Sequence, residues 1–235
     1  LASIAGYGPE RELYKDAAST SFGCGVPLAF AGVLPGQTVL DLGSGAGFDL
    51  LIASDIVGPK GLVIGVDMTD EMLATASANV KSAGKANIDL RRGYIEELPV
   101  ADFSVDWVIS NCVINLSPDK LAVFREIFRV LKPGGHFSIS DIVAQNLPAD
   151  VLESARAYAA CVAGALSEAQ YLKGLKDAGF IQADVEERLI YTAEQMRAML
   201  GNVLSETAPS GVERDVLDEL TGNVWSAKFT GTKPE

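Results

Sequence analysis

The seven residues Asp41-Leu42-Gly43-Ser44-Gly45-Ala46-Gly47 constrain this chain more than any other feature. They join residues 37–42 (QTVLDL), which read as a buried strand, to a helix predicted from 48 to about 57. Glycines at such a junction let the backbone turn sharply and approach a ligand closely. A dinucleotide fingerprint of the form G-x-G-x-x-G would place its third glycine at position 48. Phe48 stands there and Gly47 makes the pattern G-x-G-x-G, which disfavours a dehydrogenase. Asp41 ends the strand two residues before the first glycine. Asp67 closes the next predicted strand 20 residues after Gly47, where a carboxylate can accept both hydroxyls of a ribose.

The strand–helix alternation continues. Residues 61–67 (GLVIGVD), 88–92, 105–110 (VDWVIS) and 136–142 (HFSISDI) read as strands. Thr69 is expected to cap a helix starting at Asp70-Glu71 and ending near Gly84, with acid where the helix dipole favours it. Ser117-Pro118 is expected to open a helix running to Leu131, before the break at Pro133-Gly134-Gly135. Repeating units of this length predict an α/β fold with a doubly wound, mostly parallel sheet. After residue 143 helical patterns at 148–163 and 167–178 precede a strand at 183–191 and a helix at 193–204. The last apolar alternation, 224–229, is expected to return to the sheet edge as an antiparallel strand. The expected division is a ligand-binding domain over 1–142, with an N-terminal helical segment, and a helical/β cap with C-terminal strands over 143–235.

Composition narrows the partners. Thirty-one acidic residues against 19 basic give a formal charge of -12. Such a chain repels phosphate backbones, so no nucleic-acid partner is expected. The longest uninterrupted apolar run, 26–34, is about half of the roughly 18 residues a spanning helix needs. Residues 1–8 lack the pattern of a signal peptide. A cytoplasmic monomer with no membrane partner is the expectation, in a reducing compartment that keeps thiols free.

The chain has one histidine and three cysteines. A His-rich metal site is excluded, a His-based proton relay is improbable, and the absence of a C-x-x-C pair leaves zinc unsupported. His136, at the entry of the fifth strand, is expected on the surface. Cys112 follows Asn111 at the carboxyl end of the fourth strand, the edge where ligands bind in an open parallel sheet. Cys24 lies in Phe22-Gly23-Cys24-Gly25, whose glycines deny the thiol a tight packing shell. Cys161 sits among alanines in the first cap helix. Each competes with a reading as a small core residue, most strongly Cys161.

On these segments residues 24–142 resemble the class I S-adenosylmethionine-dependent methyltransferases. The family's first motif looks like Asp41–Gly47, its adenine-side loop like residues 93–99 (GYIEELP), and Pro133-Gly134-Gly135 precedes its fifth strand. The resemblance implies a Rossmann-like methyltransferase fold and S-adenosyl-L-methionine as cofactor. It implies cofactor contacts from Asp41, Gly43, Ser44, Gly45, Asp67, Met68, Ile95, Glu96 and Asn111, with Asp67 at the ribose and Ile95 and Glu96 at the adenine. Glu96 also reads as part of a solvated acidic turn.

More specifically, residues 110–120 (SNCVINLSPDK), Gly23-Cys24-Gly25, residues 161–165 (CVAGA) and 65–69 (GVDMT) with Glu71-Met72 resemble arsenite methyltransferases. That similarity spans about 22–180. It implies Cys24, Cys112 and Cys161 as catalytic residues that ligate trivalent arsenic. Arsenite or its thiol conjugates would be the substrate, and a thiol reductant such as thioredoxin or glutathione the redox partner. This chain lacks the further upstream cysteine many members carry, and Phe22 stands where a tyrosine is common.

The chemistry fits the inventory. Trivalent arsenic is thiophilic and soft thiolates bind it. A lone-pair nucleophile loses no proton, so one histidine suffices. Methyl transfer leaves arsenic pentavalent, and a cysteine pair closing into a disulfide would restore it. A quinone or other small-molecule methyltransferase of the same superfamily is the competing enzyme class, and a non-catalytic metalloid sensor the competing binding class.

Overall fold

The computed structural model describes residues 14, 32–146, 162, 164–192, 194–195 and 222–235. Strands β1 (Thr38–Leu42), β2 (Leu62–Asp67), β3 (Ile88–Arg92), β4 (Val105–Asn111) and β5 (Leu131–Ala144) follow the apolar runs. Between them lie α1 (Phe48–Val57), α2 (Asp70–Ser82) and α3 (Lys120–Val130), and beyond them α4 (Glu168–Asp177), β6 (Ile181–Ile190) and β7 (Val224–Thr232). They form one seven-stranded sheet in the order β3-β2-β1-β4-β5-β7-β6. The first five pair in parallel; β7 runs antiparallel to both β5 and β6.

Successive strand residues face opposite sides of the sheet, and both faces are apolar here. Val39, Val63 and Ile109 pack with Leu50, Ala53 and Val57 of α1 on one side. Leu40, Val108, Phe137 and Ile139 pack with Phe124 and Ile127 of α3 and Tyr171 and Leu175 of α4 on the other. Each fully buried Leu, Ile or Val contributes about 1.5–3 kcal/mol of burial free energy. Tyr171 stacks flat on Phe229, with ring centroids 4.1 Å apart, so α4 docks on the C-terminal strand.

Several local expectations change. The C-terminal strand lies inside the sheet, between β5 and β6, because it pairs over nine positions with β5, from His136↔Thr232 to Ala144↔Val224, and along its other edge with β6. β5 continues to Ala144, so a division after residue 142 falls within a strand, and β6 and β7 extend the same sheet. α3 begins later than expected: Asp119, not Ser117, caps it by accepting from Ala122 N at 2.9 Å, and a 3-10 turn at Ile114–Leu116 precedes it. Thr69 occupies the N-cap of α2 but turns its hydroxyl to Asp67 instead. His136 is half-buried, stacked on Trp107 at 4.7 Å and bonded through Nδ1 to Thr232 Oγ1 at 2.9 Å. Apart from residue 162, which lies in a bend, the predicted helix over 148–163 lies outside the described residues, as does most of that over 193–204.

Candidate functional site

Strand order reverses between β1 and β4, the two strands that leave a crevice at their carboxyl ends. The glycine loop follows β1 there. Gly43 N and Ser44 N both donate to Val66 O, at 2.8 and 3.1 Å, which draws the loop over β2. Gly43, Gly45 and Gly47 have φ of 64°, 51° and 86°, a region open to glycine at little cost. At Gly43 a Cβ would also lie 2.5 Å from Val113 Cγ2, so the loop after β4 closes directly on this glycine. Above Gly45, among the described residues, nothing beyond its chain neighbours lies nearer than Gly43 O at 4.0 Å. That is the open surface a ligand needs to reach backbone.

Carboxylates gather around the loop. Asp67 accepts from Gly45 N at 3.0 Å on one oxygen and from Thr69 N at 2.9 Å and Thr69 Oγ1 at 2.8 Å on the other. The turn after β2 therefore braces the glycine loop, and the Asp67 carboxylate oxygen bonded only to Gly45 keeps acceptor capacity. Asp41 is buried, and burial, then the neighbouring charges of Asp49 and Asp67, hold its carboxyl well above the ordinary range. Asp49, in the first turn of α1, is also buried and accepts from Asn111 Nδ2 at 3.3 Å. Asp49 was not among the expected site residues. An acid two residues after the last glycine, in an otherwise apolar helix start, was the available signal. This acidic lining suits a ligand carrying positive charge and vicinal hydroxyls.

The expected cofactor residues divide. Asp41, Gly43, Gly45, Asp67 and Asn111 meet at the crevice. Met68 is 57% exposed beside Asp67, leaving an apolar side chain in solvent at the β2 edge. Ile95 is buried. Glu96 accepts from Ser117 Oγ, tying the turn after β3 to the segment after β4. Ser44 lies in the loop with its hydroxyl buried against Gly65 of β2, where a Cβ would stand 2.9 Å from it, and its N–H is taken by Val66 O. A glycine strand residue opposite gives that hydroxyl its only room.

Cys112 follows β4 with φ +59°, a left-handed conformation that L-residues other than Asn and Asp seldom adopt. Its N–H donates to Ser140 O of β5 at 2.9 Å. Its sulfur is in a disulfide. Cys24 and Cys161 lie outside the described residues. Among the described residues no group of three His, Cys, Asp or Glu could hold a metal ion. No helix among them is long and apolar enough to cross a membrane.

Comparison with known proteins adds to this geometry. Residues 34–179 match the family model described as a methyltransferase domain. An arsenite methyltransferase of Halobacterium salinarum is 50% identical over 171 residues, 72% of this chain and 44% of the relative. One from Aquipseudomonas alcaligenes is 45% identical over 163 residues, 66% of this chain and 46% of the relative. The chain thus spans under half the length of these curated relatives. An arsenic(III) S-adenosylmethionine methyltransferase structure from Chlamydomonas reinhardtii superposes with a TM-score of 0.69 at 32% identity, covering 97% of this chain and 74% of that one.

Proposed function

Since the chain belongs to the methyltransferase-domain family, we propose that it binds S-adenosylmethionine in the β1–β4 crevice and methylates trivalent arsenic held by Cys112. One observation carries the reading furthest. A cysteine in a left-handed conformation stands at the carboxyl end of β4, in the segment whose next residue, Val113, packs on Gly43 of the glycine loop. Non-glycine residues keep such a backbone where the surroundings over-determine it, commonly at functional sites.

The residues fit the cofactor. Asp67 would take the ribose, the open face of Gly45 would receive the ligand against backbone, and Asp49 with Asn111 would face its cationic end. Met68 and Ile95 would border the adenine, Met68 supplying exposed apolar surface and Glu96 the adjoining polar edge. When bound, S-adenosylmethionine supplies a methyl group activated on a sulfonium.

The chain's own task is to hold and orient. Cys112, joined in this reading by Cys24 and Cys161, presents arsenic through soft sulfur. Arsenic reacts through a lone pair, so the chain moves no proton, and a single histidine packed in the sheet is no handicap. Positioning supplies most of the rate. Each transfer leaves arsenic pentavalent; two thiols would return two electrons to it and close as a disulfide. A thiol reductant such as thioredoxin or glutathione would reopen it, and the reading carries a monomeric, cytoplasmic enzyme.

The test is incubation of reduced protein with arsenite, cofactor and thiol. Methylated arsenic is expected. Transfer to small organic acceptors with none to arsenic would overturn the reading.

A further inference from the structure

Cys112 occupies a backbone conformation it does not prefer, so something outside it must hold it there. Besides its disulfide, hydrogen bonds across the neighbouring segment hold it. Asn115, three residues on and fully buried, donates from Nδ2 to Ile142 O at 2.6 Å. Asp141, also fully buried, accepts from Ile142 N at 2.9 Å and from the Asn115 backbone N–H. The two side chains thus reach across in opposite directions, each bonding the other segment's backbone. Together with Cys112 N→Ser140 O at 2.9 Å, they fasten residues 112–115 to residues 140–142 at three points.

Everything around this fastening is sealed. Asp141 is flanked by Tyr171 Oη at 3.4 Å, from a ring clamped flat on Phe229. Ile114 and Ile142 are buried beside it. Buried polar groups that lose a partner cost about 1–3 kcal/mol, so the segment cannot swing away without exposing several of them at once.

We propose that Asn115 and Asp141 form a reciprocal clamp that positions Cys112 for its ligand: they are positioning residues, touching neither cofactor nor acceptor. The inference rests on the reading of Cys112 as an arsenic ligand, but the clamp itself can be tested without arsenic. It also separates two roles within one loop, since Val113 meets the glycine loop while Asn115 secures the thiol.

The experiment uses the full chain, fully reduced, with three readouts: the Cys112 alkylation rate by iodoacetamide, arsenite affinity, and S-adenosylhomocysteine affinity. Asn115→Ala removes the donor to Ile142 O. It is expected to change the alkylation rate at least about fivefold and weaken arsenite about tenfold, leaving S-adenosylhomocysteine within about twofold. Asp141→Asn retains an amide oxygen for the backbone donors and can turn its Nδ2 to Tyr171 Oη, so it should keep near-wild-type alkylation. Should Asn115→Ala fail to fold, Asn115→Leu, which is close in size and lacks the donor without adding charge, is read the same way. Unchanged alkylation, or a parallel loss of S-adenosylhomocysteine affinity, would overturn the clamp. Altered alkylation in a protein whose wild type binds no arsenite would uphold the clamp and remove the arsenic reading instead.

Discussion

The two sides of the crevice are made by different means. On the β1–β2 side, position comes from backbone turns and a short-range carboxylate: Gly43 and Ser44 on Val66, Gly45 and Thr69 on Asp67. On the β4–β5 side it comes from bonds between β5 and a segment with an unfavourable backbone: Cys112 on Ser140 and Asn115 on Ile142. Under the proposed function the first side is a general cradle for a cationic, hydroxyl-bearing ligand, and the second is particular to what Cys112 would hold. The contrast teaches that cofactor affinity and acceptor affinity should be separable by mutation.

The sharpest break is Cys112→Ser. An oxygen in place of soft sulfur should lower arsenic methylation about a thousandfold or more in turnover assays, with S-adenosylhomocysteine affinity retained. The opposite break is Asp67→Ala, which removes a charged acceptor from the cradle. Calorimetric cofactor affinity should fall about 10–100-fold while arsenite binding to the reduced protein persists. Gly43→Ala tests a place where the glycine loop and the segment after β4 touch. Its methyl would strike Val113, costing about 1–3 kcal/mol in a denaturant melt and weakening both ligands together.

A smaller effect concerns pH. Burial pushes Asp141 from 3.8 to about 7, against the lowering contributions of backbone N–H groups, Tyr171 and, more weakly, Lys120. The native protein therefore holds this proton more tightly than the unfolded chain. Stability attributable to it is present below about pH 4, falls as pH rises to about 7, and is level above. Asp141→Asn, which mimics the neutral acid, should match wild type near pH 4 in thermal melts and exceed it near pH 8. The smallest change is expected of His136→Ala, which loses the stack on Trp107 at about 0.5–1.5 kcal/mol and leaves the methylation rate unaltered.

The same contrast explains what could be read in the residues. The glycine loop, Asp41 and Asp67 were legible because strand, turn and carboxylate lie within about thirty residues and each type has one physical use there. The parallel order of β1 to β5 followed from the alternation. The location of β7 inside the sheet did not, because its apolar face fits an edge and an interior position equally well until pairing with β5 is known. Ser44 reads as a loop ligand, and only the packing against Gly65 shows where its hydroxyl is buried. Asn115 and Asp141 were invisible for the same reason: 26 residues separate them, and register brings them together.

The central claim is that a thiol side holds arsenic and a glycine–carboxylate side holds the cofactor, independently. Native mass measurement of the reduced chain, mixed with arsenite and S-adenosylhomocysteine singly and together, tests it directly. Wild type should carry one arsenic and one S-adenosylhomocysteine, and Cys112→Ser the nucleoside alone. Arsenic retained by Cys112→Ser, or absent from wild type, would contradict the account.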